Sequence, residues 1–310
     1  MKYENWLNQW LENYVKPQSK QKTYHRYTEI VNQHIRDRLG GYELDDLTPL
    51  VLQQFTTELL NCGNLKTGRG LSANSVNVIV TVIQNSLKSA FMVEQVSEYR
   101  ADRIKRPKVR EKQVTCFTPV EQKRIEQAVL KGNLRRMFGV ILCMYSGIRI
   151  GELLALTWSD IDFKRGTVSI TKTRHDGVDG AGRFTHIITA PKTSSSVREI
   201  PLPRQLLPML RELKKVSNSR FIVATATGTA VSVRSYQRSF EMLLRKLNIP
   251  HKGFHSLRHT FATRALECGM DVKTLSEILG HKSASVTLSR YVHSMNDHKK
   301  AMMNKVGRLL

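Results

Sequence analysis

The sequence is poor in cysteine, in acidic residues and in long apolar runs. Its four cysteines, Cys62, Cys116, Cys143 and Cys268, lie far apart and form no CxxC pair or Cys/His ligand spacing. Neither a zinc site nor a disulfide framework is therefore indicated. The longest apolar run, residues 137–145, is far shorter than the roughly 20 residues that cross a bilayer. The first ten residues combine charge with helical spacing, unlike a signal peptide, so we expect a protein of the reducing cytoplasm.

The scarcity of acidic residues leaves a large positive charge. Lys and Arg total 49 against 26 Asp and Glu, which gives a net charge of +23 and a pI near 10.1 over 310 residues. Such self-repulsion favours a polyanionic partner, and nucleic acid is the commonest one. A membrane surface is the competing partner, but no basic amphipathic stretch with a lipid-facing stripe is present. With 40% hydrophobic residues the chain is expected to fold, and its length favours two domains.

The first hundred residues predict a small helical bundle. Apolar residues at helical spacing mark two helices, the second of which ends at Gly40 and Gly41. A third helix is expected to begin at Thr48, with Pro49 in its first turn, and a fourth at Ser72. The segment between the first two helices is predicted to be a loop with basic and polar side chains at Lys16, Lys20, Lys22, His25 and Arg26. Taken singly, each of these cations is more often ordinary solvated surface.

The rest of the chain predicts a linker and then a mixed domain. Residues 100–112, polar and basic around Pro107, are typical of an interdomain linker. A capping box at Thr118-Pro119-Val120-Glu121 opens the second domain, and an apolar helix follows near residues 137–146. Strands are expected at 167–173, 185–190 and 197–202, with a glycine-rich insert at 176–183 and a turn at 191–196. Helices return from residue 206 onward, so the fold class is mostly α with a small antiparallel β-sheet.

Arg149 is the first candidate for chemistry. It lies between Gly147 and Gly151 in an apolar neighbourhood, where an uncompensated guanidinium would be costly. Glu152 follows three residues later on the same helical face and can pair with it. An internal ion pair is one interpretation, and a guanidinium that Glu152 orients toward an anion is the other. The two are compatible.

A second group of candidates lies near the carboxyl end. His255 and Arg258 are three residues apart at the start of a predicted helix, away from its apolar face. The exposed amides of a helix N-terminus suit a phosphate, although a His with an Arg is more often a surface pair. His281 follows a helix-ending glycine, and Tyr291 lies on the next short helix. A tyrosine taken alone usually serves packing.

Three separated segments resemble the tyrosine recombinases, the family of phage and conjugative-transposon integrases. They are SGIRIGELLAL at 146–156, HSLRHTFAT at 255–263 and LGHKSASVTLSRY at 279–291. Their agreement in order is far more specific than any one motif, and the resemblance covers nearly the whole chain. The segment PKTSSSVREIPL at 191–202 most resembles the transposon and conjugative-element branch.

This resemblance implies a fold and an activity. The expected fold is an N-terminal helical core-binding (SAM-like) domain at 1–105, a linker at 106–115, and a mixed α/β integrase catalytic domain with a C-terminal exchange helix at 116–310. The two domains would close around DNA as a clamp. The expected activity is site-specific recombination, in which DNA strands are cleaved and rejoined for integration or excision of a mobile element. The resemblance implies no metal, no ATP and no other cofactor.

The residues that match the family's catalytic set are Arg149, Lys192, His255, Arg258, His281 and Tyr291. By resemblance, the tyrosine forms a 3′-phosphotyrosine and the two arginines clamp the phosphoryl oxygens. The lysine would protonate the leaving 5′ oxygen, the first histidine would assist at the tyrosine, and the second would hydrogen-bond the phosphate. Glu152 would support Arg149. Lys172 is a rival for the lysine; Lys192 is preferred because it lies in the turn between the two later strands, where the family's lysine resides.

The implied partners are double-stranded DNA at a recombination site and three further copies of the chain in a tetramer on synapsed DNA. An accessory directionality or bending protein is left open. DNA contacts are expected from the basic residues Lys16, Lys20, Lys22, Arg26, Lys105, Arg106 and Lys108. An apolar tail at helical spacing is expected to dock on a neighbouring protomer or, at even odds, on its own domain; it comprises Met302, Met303, Val306, Leu309 and Leu310.

Two other functions stay open. A type IB topoisomerase would share the chemistry and cleave without sequence preference. A DNA-binding regulator would keep the basic clamp and make no cut. Larger integrases also carry a further arm-binding domain, whereas this sequence begins with the core-binding helices, so the resemblance gives no expectation about arm-site binding.

Overall fold

The computed structural model describes residues 1–109, 114–132, 135–178, 184–189, 197–281, 283–291, 303, 304 and 307. Only the backbone is described at Arg135, Val178, Phe184, Ser289, Arg290 and Tyr291. The chain divides into two compact units, Met1–Lys112 and Gln113–Leu310. No helix in the described ranges is both long enough and apolar enough to span a bilayer.

The first unit has helices and no β-strand among its described residues. Its α-helices are α1 (Tyr3–Trp10), α2 (Lys16–Gln18), α3 (Gln21–Ile30), α4 (Arg36–Leu39), α5 (Pro49–Cys62) and α6 (Ala73–Met92). The predicted caps are confirmed: the Thr48 hydroxyl accepts from the Val51 amide and the Ser72 hydroxyl from the Ser75 amide. Trp6 and Trp10 from α1 and the apolar face of α6 contribute to one core.

The connection between the first two predicted helices is shorter than the sequence suggested. A π-helical turn, Leu11–Val15, joins α1 to α2, so the helix continues to Gln18. Lys16 is therefore helical, and so are Lys22 and Arg26 in α3. The predicted loop was wrong for these residues, because polar side chains on the exposed side of an amphipathic helix resemble a loop in sequence.

Residues 101–107, within the basic segment predicted to be a linker, belong to the first unit and pack on its helices. Ala101 and Ile104 are buried in its core. The Asn77 side chain donates to the Pro107 carbonyl over 3.1 Å. Because the segment is mostly polar, its sequence did not indicate that these two apolar residues would be buried.

The second unit combines helices with five short strands in its described part. The elements are α7 (Pro119–Lys131), α8 (Phe138–Ser146), α9 (Ile150–Leu153), β1 (Ile161–Asp162), β2 (Thr167–Ile170), β3 (Thr173–Val178), β4 (Phe184–Thr189), β5 (Arg198–Pro201), α10 (Leu206–Lys215), α11 (Val233–Lys246), α12 (His255–Glu267), α13 (Val272–Leu279), α14 (Ala284–Tyr291) and two 3-10 turns, Arg135–Met137 and Trp158–Asp160. The predicted capping box is confirmed: Thr118 and Glu121 exchange amide and side-chain hydrogen bonds.

The strands form two small antiparallel sheets where one was expected. One sheet has the order β1-β2-β5, and β3 pairs only with β4 among the described strands. The single strand predicted at 167–173 was wrong: β2 ends at Ile170 and β3 begins at Thr173. Residues 176–178, assigned to the glycine-rich insert, belong to β3. Alternation continues across the break, so periodicity alone could not show that the chain changes sheets.

Helix α8 lies at the centre of the second unit's core. All of its described side chains except Tyr145 are buried, as its apolar composition predicts. Gly147 ends α8 with a left-handed backbone, φ 64°. A side chain there would also collide with Phe261 of α12 and Leu279 of α13, so glycine permits three elements to meet at this point.

Candidate active site

Arg149 stands at the junction between α8 and α9. Its extended backbone (φ −77°, ψ 152°) precedes the first turn of α9. Its amide donates to Glu152 Oε2 over 2.9 Å, and its Nη1 donates to Oε1 over 2.8 Å. The Glu152 side chain is 4% exposed and that of Arg149 is 37% exposed. The ion pair predicted from the sequence is present, and it leaves part of the Arg149 side chain accessible to solvent.

A second arginine, Arg198, holds the opposite side of the same carboxylate. Its Nη1 donates to Glu152 Oε1 over 3.1 Å and its Nη2 to Oε2 over 2.9 Å. Burial tends to raise the pKa of the Glu152 carboxyl, but the hydrogen bonds and charge of Arg198, followed by those of Arg149, hold that pKa below its ordinary value. Glu152 is therefore an ionised, buried partner shared by two guanidiniums.

Arg258, on α12, is the most buried guanidinium of the group, with 2% of the residue exposed. Its Nη1 donates to the Gly147 carbonyl over 2.8 Å and its Nη2 to the Leu279 carbonyl over 2.7 Å. These carbonyls lie at the ends of α8 and α13, where helices leave acceptors without partners in the helix. The negative ends of two helices thus help to offset the charge of one arginine.

His281 follows α13 directly, after Gly280 with φ 63°. Its Nε2 lies 2.9 Å from Arg258 Nη2, and its Nδ1 lies 2.7 Å from the Thr287 hydroxyl. Because arginine only donates, Nε2 accepts, and Nδ1 carries the proton that it donates to Thr287. The predicted position of His281 after a helix-ending glycine is confirmed.

Tyr291 ends α14, one helical turn after the buried Thr287. The Thr287–His281 contact therefore brings the start of the helix that carries Tyr291 next to the arginine cluster. The Tyr291 side chain lies outside the described part, and so does the whole of Lys192.

His255 is the first residue of α12, three residues before Arg258. It is exposed, and its ring packs edge-on against that of His259 with centroids 4.6 Å apart. The structure thus joins four of the sequence-predicted site residues in two bonded pairs, Arg149–Glu152 and Arg258–His281. Arg149 links the pairs by donating to the carbonyl of Gly280, the residue before His281, and His255 lies on the same helix as Arg258.

Lys172, the rival for the catalytic lysine, is held by an acidic partner. Its Nζ lies 2.8 Å from Asp160 Oδ2 and 3.1 Å from the Thr157 hydroxyl. Burial tends to raise the pKa of Asp160, but hydrogen bonds from Lys172 and Thr157 hold it low. Lys172 therefore lies in an ion pair, and the preference for Lys192 stays a prediction.

The basic residues predicted to contact DNA in the first unit are all exposed. Some have partners: Lys16 pairs with Glu12 at 2.5 Å, and Arg26 with Glu29 at 3.3 Å. Arg106 donates to the Asn77 carbonyl and to the hydroxyl of Thr81. Exposed pairs of this kind contribute little free energy, so they compete weakly with a phosphate.

One functional candidate was missed from the sequence, namely Arg198. Nothing local marks it, because its partner lies 46 positions away. Among the residues that the structure describes, no group of three or more His, Cys, Asp or Glu side chains could hold a metal ion.

Comparison with known proteins gives a consistent result. Residues 115–298 match the phage integrase family, and residues 2–60 match the N-terminal SAM-like domain of phage integrases. A XerC-like tyrosine recombinase of Caldanaerobacter subterraneus subsp. tengcongensis is 25% identical over 94% of this chain and 79% of its own length. The ICEBs1 integrase of Bacillus subtilis is also 25% identical, with the same coverage.

Two solved structures share the fold. The Tn1549 transposon integrase, in complex with a circular intermediate DNA, superimposes with a TM-score of 0.81 at 21% identity, over 99% of both chains. A lambda integrase dimer bound to a COC′ core site gives a TM-score of 0.69 at 20% identity, over 92% of this chain and 97% of that one. At these identities the likeness speaks for the fold alone.

Proposed function

The chain belongs to the phage integrase family, and from this premise we propose that it is a site-specific DNA recombinase. It cleaves and rejoins DNA strands through a 3′-phosphotyrosine intermediate during integration and excision of a mobile element. The observation that carries the proposal is the cluster of two bonded pairs, Arg149–Glu152 and Arg258–His281, which the Gly280 carbonyl links beside the start of α14. Its two guanidiniums can neutralise the oxygens of a phosphoryl group, which phosphoryl transfer requires.

The chemistry assigned to Tyr291 is an exchange of one phosphodiester for another. The phenolic oxygen loses its proton and forms a bond to the scissile phosphorus, while the bond from phosphorus to the 5′ oxygen breaks. The 5′ oxygen takes up a proton, so a 3′-phosphotyrosine and a free 5′-hydroxyl result. Because the diester energy is retained for religation, we expect no requirement for ATP. We also expect no requirement for a metal, because the guanidiniums supply the neutralising charge.

The other residues have supporting roles in this scheme. Arg149 and Arg258 neutralise the non-bridging oxygens, and their field favours the phenolate over the phenol. Lys192 protonates the leaving 5′ oxygen. His255 assists proton transfer at the tyrosine, and His281 hydrogen-bonds the phosphate. In this structure His281 Nε2 accepts a hydrogen bond from Arg258. When a phosphate binds, a hydrogen bond from His281 to the phosphate must replace this contact.

The division of labour along the chain is part of the proposal. Residues 1–105 form the core-binding domain, 106–115 the linker, and 116–310 the catalytic domain with an exchange helix at its carboxyl end. The working assembly is a tetramer of this chain on synapsed double-stranded DNA in the cytoplasm, with room for an accessory directionality or bending protein. Of the apolar tail residues, only Met303 lies within the described part, and it is exposed.

Covalent capture tests the function and identifies the target sequence in the same experiment. Purified protein is incubated with sheared genomic DNA from the organism that carries the gene, and DNA linked to denatured protein is recovered and sequenced. We expect enrichment of one pair of element ends or their junction, with capture lost in Tyr291→Phe. Capture without sequence preference would identify a topoisomerase, and sequence-specific binding without capture would identify a regulator. Either result would contradict the proposal.

A further inference from the structure

The carboxyl end of α13 is held by three different arginines. Three consecutive carbonyls accept, in order, from three side chains: Ile278 from Arg198 Nε at 2.6 Å, Leu279 from Arg258 Nη2 at 2.7 Å, and Gly280 from Arg149 Nη2 at 3.2 Å. The carbonyls at a helix carboxyl end carry negative partial charge. This short stretch therefore binds all three guanidiniums and leads directly to His281.

Glu152 completes the arrangement from the other side. Its two oxygens accept four N–H groups, two from Arg149 and two from Arg198. Three guanidiniums close together repel one another, and the carboxylate and the helix end offset that repulsion. Burial raises the pKa of Glu152, and the contacts with Arg198 do most to lower it again. The carboxylate that binds Arg149 therefore depends on Arg198 to stay ionised.

Burial distinguishes the roles of Arg149 and Arg198. The Arg198 side chain is 7% exposed and the Arg149 side chain 37% exposed, although both hold the same carboxylate. Arg149 can therefore meet a phosphate. Arg198 differs from Arg258, which is also buried, in its contacts: its Nε and both Nη atoms donate to the Ile278 carbonyl and to Glu152, whereas Arg258 contacts His281, the predicted phosphate ligand. A side chain that supports a charged ligand group from behind orients that group and keeps its rotamer fixed.

We propose that Arg198 is a positioning residue for DNA cleavage, which acts through Glu152 and the Ile278 carbonyl to hold Arg149 and the α13 end in place around the scissile phosphate. This inference rests on the proposed recombinase function. It goes beyond a structural ion pair because it assigns to Arg198 a share of the stabilisation of the phosphoryl charge.

The charge of the scissile phosphate separates positioning from simple structural support. A methylphosphonate linkage replaces one charged non-bridging oxygen by a methyl group, so less charge has to be neutralised in the transition state. If Arg198 acts through Arg149, its loss should matter much less on this neutral linkage. If Arg198 only stabilises the fold, its loss should slow cleavage of both linkages equally.

The experiment measures single-turnover covalent cleavage of the captured site as a suicide duplex, with a phosphodiester or a methylphosphonate at the scissile position. We expect Arg198→Met to slow cleavage about 30-fold on the phosphodiester and less than about 3-fold on the methylphosphonate. Arg198→Lys retains the charge and loses the parallel pair of hydrogen bonds, so it should slow phosphodiester cleavage about 10-fold, again with a smaller loss on the neutral linkage.

A matched control is available on α12. Arg264 donates to Gln122, to the Phe117 carbonyl and to Glu267, so it also ties elements of the second unit together. Arg264→Met should change cleavage of both linkages by the same small factor, below about 3-fold. Thermal unfolding of every variant reports how much of each loss comes from destabilisation.

The outcomes are distinct. If the wild-type protein forms no covalent adduct, the recombinase function fails and the inference falls with it. If the wild type cleaves but Arg198→Met keeps full activity, or loses the same factor on both linkages, only the inference is overturned. If Arg198→Met does not fold, Arg198→Lys decides by the same ratio between the two linkages.

Discussion

The two units carry basic side chains in opposite surroundings. In the first unit, Lys16 and Arg26 are exposed and pair with neighbouring glutamates on the same helical stretch. In the second unit, Arg198 and Arg258 are buried. Arg149 and Arg198 share one carboxylate, and the three arginines donate to three consecutive carbonyls. The same residue type thus serves two purposes: exposed cations offer many weak and replaceable contacts, and the buried set offers a few fixed ones.

This difference bears on how DNA would be treated. Exposed cations attract the phosphate backbone through counterion release, which is additive and sensitive to salt. A preorganised cluster stabilises charge at one phosphorus and costs little reorganisation during the reaction. We therefore expect variants of the first unit to change affinity and variants of the second unit to change the rate of cleavage.

The largest expected effect is at Arg258. Arg258→Ala removes a buried guanidinium that holds the Gly147 and Leu279 carbonyls and contacts His281. We expect single-turnover cleavage to fall about 1000-fold, while the Kd for the same duplex changes less than about 3-fold. Gel-shift and cleavage assays on one preparation check both values. A loss of affinity as large as the loss of rate would remove the contrast between the units.

Lys192 and Lys172 form the next test, since either lysine could have supplied the proton. Lys192→Ala should slow cleavage about 100-fold, because the 5′ oxygen then leaves without its acid. A 5′-bridging sulfur, which leaves without protonation, should restore the rate to within about 5-fold. Lys172→Met loses the ion pair with Asp160 and should keep cleavage within about 3-fold of wild type. The reverse ranking of the two lysines would show that the assignment is wrong.

Glu152→Gln tests the shared carboxylate. The variant leaves Arg149 and Arg198 without their common anion. We therefore expect cleavage to be roughly 10- to 100-fold slower, because Arg149 loses the group that orients it. We also expect the free energy of unfolding to fall by about 3 kcal/mol. Chemical denaturation followed by fluorescence measures the stability. Unchanged stability would mean that the buried network contributes no more than an exposed pair.

The same carboxylate gives a pH dependence with a definite sign. The pKa of Glu152 is lowered in the folded protein, so its contribution to stability is present above its unfolded-state pKa. That contribution is lost as pH falls through the folded-state pKa. We expect acid to destabilise the wild type more steeply than Glu152→Gln, since glutamine does not titrate.

The smallest effects belong to the first unit. The double variant Lys16→Ala/Lys22→Ala should weaken DNA binding about 10-fold near 0.1 M salt and lower the slope of log K against log salt by about 2. Cleavage of bound DNA should be unchanged. Lys215→Ala is the matched control, because Lys215 is also an exposed lysine paired with a glutamate, at 2.7 Å. An equal change of slope per charge removed in the control would assign the effect to net charge alone.

Local features of this molecule could be predicted from sequence, and long-range ones could not. The helix starts at Thr48, Ser72 and Thr118 were predictable because a cap and the amides it binds lie within three residues. The pairing of Arg149 with Glu152 was predictable for the same reason. The motif order then indicated that His281 and Arg258 belong to one site.

The remaining features depend on which strands pair. Arg198 reaches Glu152 because β5 joins β2, a partnership that no nearby residue encodes. At residues 171–172 the chain passes from one sheet to the other. The sequence did not indicate this break, because side chains alternate in the same way before and after these residues. The helical position of Lys16 and Arg26 was missed because exposed helical faces and loops have similar polar compositions.

The proposed mechanism depends most on which residue becomes covalently linked to the DNA. The direct measurement is mass spectrometry of peptides from the captured covalent adduct after nuclease and protease digestion. We predict a nucleotide joined through its 3′-phosphate to Tyr291 and to no other residue. A nucleotide on a different side chain, or joined through its 5′-phosphate, would contradict the proposed mechanism.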